Sequence, residues 1–139
     1  MSNQVSGLIQ LDFWVDQSSN LTTATPVDLP LAGDIYHKKV EMPQDGCLRA
    51  VLARCETTPN TDNPSLVCSM TIGGVESATG HADIAVGSTA QNATFANNEV
   101  TFDAGDEIGA SIMQTGGTID DAVDEVHVTL ILQLGRSNI

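Results

Sequence analysis

Apolar and polar residues alternate along this chain with a period of two. In Leu8–Val15 the residues Ile9, Leu11, Phe13 and Val15 fall on one side, and Gln10 and Asp12 on the other. That is the pattern of a strand with one face in a core. Ile35–Met42 predicts a second strand, ended by the turn Pro43-Gln44-Asp45-Gly46. Cys47–Cys55 predicts a third, with Leu48, Ala50 and Leu52 opposing Arg49, Val51 and Ala53. Both of its faces are largely apolar, which suits a central strand. Leu66–Ile72 follows, and Gly73-Gly74 makes a hairpin-type turn into Val75–Ala78. Asp103-Ala104-Gly105-Asp106 is a tight turn before Glu107–Met113. In Val126–Leu134, Val126, Val128, Leu130, Leu132 and Leu134 alternate with His127, Thr129, Ile131 and Gln133.

The stretches between these strands are less regular. Asp16 to Gly33 is rich in Ser, Thr, Asn and Pro and reads as a long surface crossing with one short edge strand. Gly80–Asn92 has little pattern, and Ala82–Val86 within it reads as a short strand or a helical turn. Ala93–Phe102 alternates only at its end, Val100-Thr101-Phe102. No segment of ten or more residues presents a capped helical face. The expected fold is therefore all-β: one domain over residues 1–139, an antiparallel β-sandwich of jelly-roll type with about eight strands. Residues 1–7 are expected to form a flexible N-terminal arm.

Composition narrows the function classes. Hydrophobic residues are 41% of the 139, enough for a core, but aromatics are only 4%, so Val, Ile, Leu and Ala must fill it. No apolar run approaches the ~20 residues needed to cross a bilayer, so no membrane partner is expected. Met1-Ser2-Asn3-Gln4 carries neither a basic nor an apolar leader, and synthesis in a host cytoplasm is expected. Five Lys and Arg stand against 18 Asp and Glu, a formal net charge of -13. With so few cations to meet phosphate, nucleic acid is excluded as a partner. The acidity serves solubility and repulsion between copies.

No catalytic motif is present: no GxSxG, HExxH, Walker-type loop, or GxGxxG after a strand. His37, His81 and His127 are scattered, and none sits beside a Ser or Cys in a nucleophile context. A cupin-like enzyme would need such histidines clustered with carboxylates. The expectation is a non-enzyme with no catalytic residues, no cofactor and no metal site. Asp120-Asp121-Ala122-Val123-Asp124-Glu125 lacks the spacing of a calcium loop and reads as a solvated acidic loop. Cys47, Cys55 and Cys68 are an odd set without a CxxC pair. Cys55 and Cys68 flank a polar loop and are placed to face each other across a hairpin, but the reading adopted is three buried free thiols. Asp103 and Asp106 are turn residues, and Phe13 and Trp14 are expected in the core.

From Pro43 to Leu134 the chain resembles the small jelly-roll modules of tailed-phage capsid decoration (cement) and head-fibre proteins. More distantly it is similar to C1q/TNF-like trimers, though it has fewer aromatics than they do. The resemblance lies in Gly46-Cys47-Leu48-Arg49-Ala50-Val51, Ser69-Met70-Thr71-Ile72-Gly73-Gly74-Val75, Val100-Thr101-Phe102-Asp103-Ala104-Gly105-Asp106-Glu107-Ile108 and the terminal Val126–Leu134, in that order. It implies a homotrimer on the outside of a mature phage capsid, bound to the major capsid protein as a component of the virion. An alternative is a receptor- or glycan-binding module of a phage head or tail fibre.

Charge suggests which end attaches. Met1–Ile9 contains no acidic residue, Lys38, Lys39, Arg49 and Arg54 lie in the first half, and Asp120, Asp121, Asp124 and Glu125 crowd one late loop. The expected capsid-binding foot is Met1, Ser2, Asn3, Gln4, Val5 and Ser6 with neighbouring loops, the acidic loop pointing away.

Overall fold

A computed structural model of the chain describes residues 7–18, 26–33, 37–56, 65–85, 87–115 and 123–135. They form ten strands: β1 Gly7–Ser18, β2 Val27–Asp28, β3 Val40–Glu41, β4 Gly46–Arg54, β5 Ser65–Ile72, β6 Val75–Ala85, β7 Ala90–Thr94, β8 Thr101–Phe102, β9 Glu107–Thr115 and β10 Val123–Leu134. There is no helix among the described residues.

The strands make two antiparallel sheets. The first runs β1-β10-β4-β7, with β8 also paired to β4. The second runs β2-β9-β5-β6, with β3 also paired to β9. β2 and β3 share one position beside β9, and β7 and β8 share one beside β4, so the ten strands fill eight positions. The path switches sheets repeatedly, and the first and last strands pair over nearly their whole length, from Gly7↔Leu134 to Ser18↔Val123. This is the jelly roll the alternation predicted.

The core lies between the sheets. Phe13, Leu48, Val51, Leu66, Met70, Phe102, Ile108, Ile112 and the even-numbered residues Val126 to Leu132 of β10 are buried there. Burying each such side chain contributes roughly 1.5–3 kcal/mol. Trp14 departs from expectation. Its neighbour Phe13 takes the inward position, so Trp14 stands half-buried on the outer face.

Three other expectations are corrected. Of the predicted strand Ile35–Met42, Ile35 and Tyr36 lie outside the described residues, and among the rest only Val40–Glu41 is strand. Just upstream, Trp14 N–H donates to Pro30 O at 3.1 Å and Ala32 N–H to Asp12 O at 2.9 Å, so Pro30–Ala32 lies along the edge of β1 away from β10 and serves the other sheet. The strict alternation assumed for Cys47–Cys55 breaks at a bulge. Leu132 pairs with Leu48 but Ile131 with Ala50, leaving Arg49 as the extra residue. The core face of β4 is therefore Leu48, Val51 and Ala53, with Ala50 and Leu52 turned outward. Finally, Val75–Ala78 and Ala82–Val86 are not separate: β6 runs through both to Ala85.

The turns behave as their residues require. Gly73 and Gly74 adopt φ of 60° and 83°, the left-handed pair that closes a two-residue hairpin. Asp106 Oδ2 accepts the Asp103 N–H at 2.8 Å, and Asp45 Oδ1 accepts the Ala104 N–H at 2.9 Å.

Candidate functional site

The expected foot, Met1–Ser6, lies outside the described residues, as do Asp120 and Asp121. The basic residues of the first half do not form one patch. Arg49 and Arg54 stand on the outer face of the first sheet, whereas Lys38 and Lys39 pass over Gly109 on the second. They are close in sequence, and the sandwich puts them on opposite sides. The two outer faces are thus separate candidate surfaces.

On the first sheet, register makes ordered rows. Trp14, His127, Arg54 and Ala90 form one; Asp12, Thr129, Leu52 and Asn92 the next; Gln10, Ile131, Ala50 and Thr94 a third. Leu52, Ile131 and Ala50 make a short apolar strip, and side-chain bonds fix its frame. Thr129 Oγ1 donates to Asp12 Oδ1 at 2.7 Å, and Arg49 Nη1 to Gln133 Oε1 at 2.6 Å. The Trp14 and His127 rings lie 5.5 Å apart, tilted by 37°. Burial holds the His127 imidazole below its ordinary pKa, the Arg54 charge adds to this, and Asp12 opposes it. Trp14 Nε1 is buried with no hydrogen-bond partner among the described residues.

The second sheet carries a groove. β5 points Leu66, Cys68 and Met70 inward, so Val67, Ser69 and Thr71 face out. Register sets Ser69 between Ser111 and His81, and Val67 between Met113 and Asp83. Between Ser69↔His81 and Thr71↔Glu76 the β6 strand carries residues 77–80 against the single residue Met70. This excursion closes on itself: Ser77 Oγ accepts the Gly80 N–H at 2.8 Å and the Thr79 N–H at 3.4 Å. Gly80 rests against the core, where a Cβ would approach Leu48 Cδ2 to 2.8 Å. The excursion walls a groove of about 400 Å³ lined by Val67, Ser69, Glu76, Ser77, Ala78, His81 and Met113.

The groove's polar side chains are Ser69, Glu76, Ser77 and His81. His81 Nδ1 and Asp83 Oδ1 are 2.7 Å apart. Ser111 Oγ donates to Glu76 Oε2 over a long 3.4 Å. A serine opposite a histidine that is paired with an aspartate invites comparison with a nucleophilic triad. Ser69, however, is 1% exposed and makes no hydrogen bond to His81. Among the described residues no group of three or more His, Cys, Asp or Glu is placed to hold a metal ion. Sequence reasoning does not single out these groove residues: it reaches only His81, and that as an isolated residue. The one legible signal is Gly73-Gly74, which fixes the hairpin that brings β5 and β6 together.

No family model matches the chain, and no curated protein matches it in sequence. Among solved structures it aligns with a chain of the cyanophage Pam1 capsid asymmetric unit at a TM-score of 0.53 and 11% identity, over 94% of this chain and 86% of that one. It also aligns with the crystal structure of FLHE at a TM-score of 0.43 and 12% identity, over 94% and 99% of the two chains. The first of these shows a shared fold across nearly the whole domain.

Proposed function

We propose that this protein is a non-enzymatic structural component of a phage virion, a homotrimeric decoration protein bound to the major capsid protein on the outside of the mature shell. The observation that carries the reading is the match to the cyanophage capsid chain, which spans most of both molecules. The framed apolar strip on the first sheet supports a role in protein contact.

The mechanism is linkage. A protein that binds only the expanded, closed shell stabilises it against opening by about 2.7 kcal/mol per site at a hundredfold excess over Kd. Three identical feet add avidity without large individual interfaces. The trimer carries three times the chain's formal charge of -13, so copies repel. At physiological salt that repulsion is screened beyond about 8 Å, which permits dense packing provided the contact face is the least acidic one. Met1–Ser6, free of acidic residues, is the proposed foot.

Co-sedimentation with expanded shells of the virus that carries the gene tests this. The full chain should pellet with shells, and a Met1–Ser6 deletion should pellet far less while remaining folded. Asp120→Asn, Asp121→Asn and Asp124→Asn together should leave binding unchanged or slightly stronger at low salt. Loss of binding in the triple variant but not in the deletion would place the foot at the wrong end.

A further inference from the structure

We propose that the groove on the outer face of the second sheet is a binding site for a cationic side chain, an arginine guanidinium presented by a partner protein. Its polar atoms are predominantly hydrogen-bond acceptors. Glu76 is half-buried, receives only the long bond from Ser111, and has no cation within ion-pair distance among the described residues. An ionised carboxylate has about four acceptor sites, so most of its capacity is unused. The lysine beside this strand, Lys39, has its Nζ against Gly74 and makes no ion pair with Glu76.

Ser69 supplies a second, independent sign of a ligand. It is 1% exposed, faces the groove, and its hydroxyl has no hydrogen-bond partner among the described residues. Opening to the groove, that hydroxyl is left to bond water or a donor that enters. His81 adds a third acceptor. Its Nδ1–H donates to the Asp83 carboxylate, so in the neutral ring Nε2 keeps its lone pair.

Shape and chemistry favour guanidinium over the alternatives. A planar cation with five N–H donors can reach carboxylate, hydroxyl and imidazole together, which the compact ammonium of lysine does less well. The volume of about 400 Å³ admits that head group with several waters, at roughly 30 Å³ each. Val67, Ala78 and Met113 give an apolar wall for the methylene stem. A sugar would find no aromatic ring in this lining to stack on. The site stands independently of whether the molecule sits on a capsid.

Titration of the full chain with acetyl-Gly-Arg-Gly-amide, followed by amide shifts in NMR spectra, tests the proposal. Saturable shifts should centre on Ser69, Glu76 and His81, with Kd on the order of 1 mM for so small a probe. The citrulline analogue, isosteric but uncharged, should bind about tenfold more weakly, and Glu76→Gln should weaken the arginine probe about tenfold. Ser69→Ala, which removes only the hydroxyl, gives a second measure should Glu76→Gln not fold, and should also weaken binding. Equal binding of the citrulline probe, preferential binding of a neutral glycoside, or shifts confined to the acidic loops would each overturn it.

Discussion

Trp14 and His127 face each other across the β1–β10 pair, on the outer side of the sheet whose inner side buries Phe13 and Val128. The indole covers the imidazole, and Arg54 stands in register beyond it. Both effects disfavour the imidazolium, burial more than the Arg54 charge, and hold the His127 pKa below its ordinary value.

Stability should therefore depend on pH through this residue. The unfolded chain protonates the ring near pH 6.5, the folded protein only at lower pH. Between those values the unfolded state binds more protons, so stability falls as pH drops through about 6.5 and levels off below the folded value. The melting temperature should be lower at pH 5.5 than at 7.5. His127→Gln should show a smaller difference between the two; an unchanged difference would refute the assignment.

Gly46→Ala should destabilise by about 1–3 kcal/mol. A Cβ at Gly46 would run into the Gln133 carbonyl and the Phe102 ring, both fixed by pairing to β4. Gly7, where an added methyl would meet nothing within 4 Å, is the control, and its Ala variant should stay within about 0.5 kcal/mol of the parent. Urea midpoints measure both, and the slopes should not change.

The three thiols should be silent in the native protein. Cys47, Cys55 and Cys68 are free and buried, with 0%, 6% and 0% exposure. Burial pushes the Cys68 thiol far above its usual range, and Cys55 and Asp83 push it further. A thiolate-selective reagent should count none in buffer and all three after unfolding in guanidinium under non-reducing conditions. A count of one after unfolding would reveal a disulfide.

The strands legible in the sequence are those that pair along their length without a break in facing, whether one face is buried, as in β1, or both, as in β5. β1, β5, β9 and β10 come through because each pairs along its length and keeps a strict inside and outside. β4 is legible as a central strand, but the bulge at Arg49 reverses its facing, and an inserted residue leaves no mark on an apolar run. The β2–β3 stretch is hidden for another reason: Pro30–Ala32 bonds to β1, a partner more than ten residues away in the other sheet. The groove is illegible because Ser69, Glu76 and His81 meet only through the register of β5 with β6, which the 77–80 excursion shifts. Thiol burial and the Asp103–Asp106 turn are local matters, and composition with turn chemistry suffices for them.

Whether this jelly roll decorates a shell can be seen by imaging. Electron cryomicroscopy of expanded, undecorated shells incubated with the purified protein should show added density on the outer surface. That density should have threefold symmetry, fit three copies of the 14.6 kDa sandwich, and touch the capsid through the segment preceding β1. Shells whose outer surface is unchanged at saturating protein would refute decoration.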